Sequence, residues 1–89
     1  MPYIRKELRP ELDALIAPIV EQVKAAQLED QDGSIDYVVT KIITNVYPLN
    51  KFFHFNRAIG VLQAILLEFY RRKVSPYEDK KIVENGDVY

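Results

Sequence analysis

The chain of 89 residues has no cysteine, one histidine and three glycines. Without cysteine there is no disulfide framework, no thiolate nucleophile and no cysteine-ligated zinc, so stability has to come from packing, from oligomerisation or from both. Gly33, Gly60 and Gly86 are too few and too scattered to build a glycine-rich phosphate loop, and neither a metal-ligand pair at helical spacing nor a nucleophile motif is present. No apolar run approaches the roughly 20 residues of a membrane span. The opening "MPYIRKELRPELD" carries charges where a signal peptide needs an apolar core. These absences predict a cytoplasmic protein that contains no cofactor and no metal and has no membrane partner.

What remains is ordinary globular composition, 48% hydrophobic and 28% charged, outside the range that stays disordered. A chain this short hides a smaller fraction of its surface than a larger domain does. The net charge of −1 is unevenly spread. Residues 1–33 carry four Lys/Arg against seven Asp/Glu, residues 34–75 six against two, and residues 76–89 two against four. A nucleic-acid footprint usually makes a whole domain basic, so the simpler reading is that these segments neutralise one another on folding or assembly.

The apolar periodicity is helical. Leu12, Leu15, Ile16, Ile19, Val20 and Val23 form one stripe, predicting a helix from Pro10 to Ala26 with a kink at Pro18. The polar "LEDQDGS" at 28–34 predicts a loop, and the Ile35, Val38, Val39, Ile42, Ile43, Val46 pattern a second helix over 35–47, ended by Pro48. After the aromatic-rich "PLNKFFHFN", Asn56 is a candidate N-cap for a third helix over 57–74. That helix is apolar around most of its circumference, which three helices cannot cover, so part of it should meet another subunit. Gly60 within it would suit close packing by a neighbour. Ser75, Pro76 and Glu78 read as a capping box with an N1 proline that starts a short C-terminal helix, closed by Gly86. Such punctuation predicts a tail, 76–89, that docks through Tyr77, Ile82, Val88 or Tyr89.

Through "MPYI" at 1–4 with Arg9 and Asp13, "IGVL" at 59–62, "EFYRR" at 68–72, "PYEDKKI" at 76–82 and "ENGDVY" at 84–89, the chain resembles a family of short, uncharacterised prokaryotic and phage proteins. It covers both termini and the third helix, and it implies no activity.

Glu68, Arg71 and Arg72 stand at i, i+3 and i+4, so the carboxylate can pair with either arginine. A surface ion pair is the plain interpretation. The sharper one is an arginine pair that grips a phosphate or carboxylate, or receives the acidic tail residues Glu78, Asp79 and Asp87 of a neighbouring subunit. With Tyr77 as an apolar anchor, these residues are the candidate binding set, and none is assigned a catalytic role. A magnesium site on the same carboxylates would resemble all-helical nucleotide pyrophosphohydrolases, but the "ExxE" pair those enzymes use is missing. His54, inside "FFHFN", has no acidic residue or cysteine beside it and reads as a packed side chain; Phe52, Phe53 and Phe55 read as packing rather than base stacking.

The sequence therefore predicts a single all-α domain, a bundle of three main helices plus a short C-terminal helix. It is expected to be a small non-catalytic interaction or accessory protein that self-associates, most simply as a dimer, with a protein partner possible. The alternatives are nucleotide or nucleic-acid binding through Arg71 and Arg72, with Lys51, Arg57 and Lys73 in support, and a magnesium-dependent phosphohydrolase.

Overall fold

A computed structural model describes residues 3–89. Among them there is no strand; the fold is all-α. A single 3₁₀ turn, Lys6–Leu8, leads into α1 (Arg9–Ala25), followed by α2 (Leu28–Val46) and α3 (Phe52–Phe69). A π turn, Tyr70–Val74, then joins α3 to α4 (Ser75–Asn85) without a break in the helical run. No described helix is long and apolar enough to cross a membrane.

α1 starts as its sequence implies. Pro10 stands in the first turn, where its missing N–H costs nothing, and Glu11 lies by the positive helix end. The helix runs on through Pro18. The stretch 28–34, expected to be a loop, is instead the first two turns of α2. Glu29 and Asp30 stand in the first turn by the positive helix end, Ser34 Oγ donates to the Asp30 carbonyl at 2.7 Å, and Gly33 costs about 1 kcal/mol, too little to break the helix. The true connection is only Ala26 and Gln27, and the Gln31 side chain closes it by donating to the carbonyls of Lys24 and Ala26, each at 3.4 Å.

The second connection also differs from expectation. Lys51, not Asn56, precedes the first turn of α3, and the Lys51 carbonyl accepts from the His54 and Phe55 N–H groups at 3.0 and 3.4 Å. The turn is made earlier, by Pro48 and by Leu49, whose φ of 55° is rare for a residue with a β-carbon. The "FFHF" aromatics, expected ahead of the third helix, thereby lie on the helix itself.

Ser75 and Glu78 form no capping box, because the chain enters α4 already helical and Ser75 makes no capping bond. The reason lies in Pro76, which cannot donate to the carbonyl four residues back. A wider turn accommodates this: the Ser75 N–H reaches the Tyr70 carbonyl five residues back, and the helix passes the proline. Gly86 does end α4. Its φ of 90° with ψ of 145° belongs to glycine, and its N–H bonds to the Ile82 carbonyl at 2.9 Å.

The helices meet at their ends and share almost no interior. α1 packs against α2, while α3 packs along neither of them. Residues of reduced exposure gather around the two connections: Val23, Ala26, Ser34 and Val38 at the first, and Tyr47, Leu49, His54 and Ala58 at the second. Ala58, 5% exposed, is the one buried apolar residue described. The radius of gyration is 16.8 Å, against about 12 Å for a compact chain of this length.

Candidate functional site

The polar candidates converge where α3 ends. Glu68 is half-buried, and one of its carboxylate oxygens accepts from the Tyr3 hydroxyl at 2.5 Å. Arg71 Nη2 donates to both oxygens of the same carboxylate, at 2.9 and 3.1 Å. Arg72 Nη1 donates to the Tyr3 oxygen at 3.0 Å. One tyrosine therefore donates to a glutamate and accepts from an arginine, and it ties the start of the chain to a helix 65 residues away in sequence. A third arginine holds the entering segment: Arg9 donates to the Ile4 carbonyl from Nη2 at 2.9 Å and from Nε at 3.2 Å.

The electrostatics follow from these bonds. The Tyr3 hydroxyl first, and then the Arg71 guanidinium, hold the Glu68 carboxyl below its ordinary range, because each stabilises the charged form. Beside the knot lies an open cleft of 340 Å³, lined by Tyr3, Ile65, Phe69 and the stem of Lys73.

The tail candidates stand apart from the knot. Glu78 and Asp79 make no ion pair with Arg71 or Arg72 among the described residues, where the ion pairs are Arg71 with Glu68 and Lys81 with Glu84. Asp87 accepts the Tyr89 N–H at 2.9 Å, a local bond within the tail. Tyr77 carries the Lys81 ammonium 5.5 Å above its ring. Tyr77, Ile82, Val88 and Tyr89 are all exposed, so none of the expected apolar anchors is buried among the described residues. No group of three or more His, Asp or Glu that could hold a metal ion occurs among the described residues. His54 packs against Phe53 with ring centroids 4.1 Å apart, and its Nδ1 is covered without a hydrogen-bond partner. Arg57 lies 5.3 Å from the centre of the Tyr47 ring, where it braces the α2–α3 connection.

Sequence reasoning missed Tyr3 as a site residue, and the signal that could have found it is the "MPYI" motif. Tyr3 of that motif and Glu68, Arg71 and Arg72 of "EFYRR" are the residues that meet in the knot. The family described as "Domain of unknown function (DUF6899)" matches residues 1–88. The chain belongs to this family. Nothing matches among curated proteins or among solved structures. Family membership thus covers both motifs of the knot, and it assigns neither an activity nor a ligand.

The second candidate surface is apolar and lies on α3. Its less exposed residues, His54, Ala58, Val61, Ala64 and Glu68, fall on one face, which runs from the α2–α3 connection to the knot. Phe52, Phe55, Ile59, Leu62, Leu66 and Phe69 form a separate stripe, each between 41% and 81% exposed. Their spacing of three and four residues is that of a helix-pairing seam. Gly60 lies off this stripe, and a β-carbon there would meet nothing within 4 Å, so no close neighbour in the chain accounts for it.

Proposed function

We propose that the protein is a small non-catalytic interaction module of the cytoplasm, from a family of prokaryotic and phage origin, and that its working form is a homodimer. The observation that carries this reading is the accessible surface of 8091 Å² in the single chain. A compact monomer of this mass exposes about 5,400 Å², so the chain exposes about 2,700 Å² too much. Over two chains that excess is about 5,400 Å², at the upper end of obligate subunit interfaces, which bury 2,000–5,000 Å² or more over both partners. The exposed stripe on α3 supplies apolar area of the kind such interfaces use.

The polar knot supports a structural role for its arginines. Arg71 and Arg72 each already hold an internal partner, and Arg57 is spent on Tyr47. Sedimentation equilibrium of the purified chain at micromolar concentration tests the reading. A dimer mass is expected, and a monomer mass down to the lowest temperature and salt used would overturn self-association. A thermal midpoint that rose with nucleotides or magnesium would overturn the non-catalytic, ligand-free part instead.

A further inference from the structure

We infer that the dimer is reciprocal and intertwined: the apolar stripe of α3 from one chain seats in the open cleft of the α1–α2 hairpin of a second copy, and the second copy returns the contact. This inference rests on the dimer reading and specifies its pairing. Four observations carry it.

The hairpin is closed only near its two-residue connection. Leu12, Leu15 and Ile16 on α1 and Ile42 and Val46 on α2, farther from that connection, are all exposed. Two clefts flank the closed end, one of 710 Å³ beside Ala26, Gly33 and Tyr37 and one of 270 Å³ beside Val20, Ile35 and Val39. Ile19, Val23 and Val38 line both. The smaller cleft has an apolar floor, the larger one adds Gln22, Glu29, Asp30 and Ser34 to its apolar residues, and no third helix among the described residues covers either, while the α3 stripe covers nothing in its own chain.

Charge selects between the two ways of pairing the exposed surfaces. The hairpin, residues 9–46, carries three Lys/Arg against seven Asp/Glu, a net −4. Residues 47–74, which hold α3 and the π turn, carry five Lys/Arg against one Glu, a net +4. α3 itself carries only Arg57 and Glu68; the excess lies at its ends, in Lys51 and in Arg71, Arg72 and Lys73. Two 47–74 segments facing each other would bring ten basic side chains together against two carboxylates, whereas hairpin against this segment neutralises the two, and a two-fold axis makes that contact twice.

Size agrees with the exchange. A compact body of two such chains has a radius of gyration of about 16 Å, close to the 16.8 Å that one chain already spans. Protomers this open fill one another's gaps, whereas two compact bodies touching at a face would each be smaller. The excess surface also needs a partner that covers both hairpin and α3, which a reciprocal contact does.

Because the chain has no cysteine, introduced ones report contacts without background. Four single variants serve: Val23→Cys and Val38→Cys on the hairpin floor, Leu62→Cys and Leu66→Cys on the stripe. Each hairpin variant is refolded together with each stripe variant and oxidised mildly. Cross-linked peptides are identified by mass, and the sedimentation mass of the reduced mixtures is recorded. Disulfides that join hairpin to stripe, formed in the mixtures and weak in any variant alone, are the expected result. Strong cross-linking of Leu62→Cys or Leu66→Cys alone would show α3 facing α3 and overturn the inference while leaving the dimer intact. A dimer mass with no hairpin-to-stripe disulfide in any of the four mixtures would overturn it as well. A monomer mass in the unsubstituted chain would overturn the dimer reading beneath it.

Discussion

The two ends of one helix surface differ in what completes them. At the C-terminal end of α3 the polar groups are satisfied at home: Glu68 has Tyr3 and Arg71, and Tyr3 has Arg72. Along the same helix the stripe from Phe52 to Phe69 is left open to water. Hydrogen bonds need a partner of defined geometry and set the path of the chain, while burial needs only area and can be supplied by another molecule. The knot therefore fixes the path of the chain, and the stripe is the surface through which the proposed dimer adds stability.

Breaking the stripe should have the largest effect. Leu62→Asp places a carboxylate in the seam, and an unpaired charge there costs several kcal/mol once buried. The expected outcome is loss of the dimer by sedimentation together with loss of helical circular dichroism; a folded dimer would show that the stripe faces water. Gly60→Ala sharpens the same point from the other side. With open space around the site and a helix interior to gain, the substitution should raise stability by about 1 kcal/mol. A lower melting midpoint would place a partner's backbone against Gly60.

Smaller effects belong to the ends of the chain. Gly86→Ala forces a residue with a β-carbon into backbone angles suited to glycine, at a local cost of about 1–3 kcal/mol. Faster amide exchange in the last turn of α4, with an unchanged dimer mass, is the expected reading. Tyr3→Phe removes the main cause of the lowered Glu68 pKa, so the carboxyl should titrate closer to its ordinary value of 4.5 by NMR, and no change would remove Tyr3 from the knot. The sign of the pH effect is set by the same shift. A carboxyl depressed on folding contributes stability above its unfolded value near 4.5, and that contribution is lost as the pH falls through the lower folded value. The phenylalanine variant should show less of this acid sensitivity.

Periodicity made α1, the later part of α2 and most of α3 legible, since their apolar residues repeat at helical spacing. It failed at 28–34, where a polar stretch with a glycine looks like a loop. There, acidic residues at a helix start and a local Ser34 bond outweigh Gly33. Ser75 and Pro76 failed for a different reason: the same residues that begin a new helix can also follow a π turn, and the choice depends on a backbone register that side-chain pattern does not encode. The all-round apolar character of α3 was legible, but its division into an inward face and an open stripe needed the positions of the α2–α3 connection and of Tyr3. Of the candidate site, the Glu68–Arg71 pair could be read from spacing because it is local. The Tyr3 bonds could not, because they join residues far apart in the chain.

Chemical denaturation followed by circular dichroism over a range of chain concentrations tests most directly whether the fold is completed by a second copy. For a dimer whose subunits fold together, about a hundredfold dilution removes roughly 2.7 kcal/mol of apparent stability and moves the midpoint to lower denaturant. A midpoint that stays fixed across that range, with a monomer mass throughout, would mean that the single chain is stable with its stripe exposed and would contradict the account.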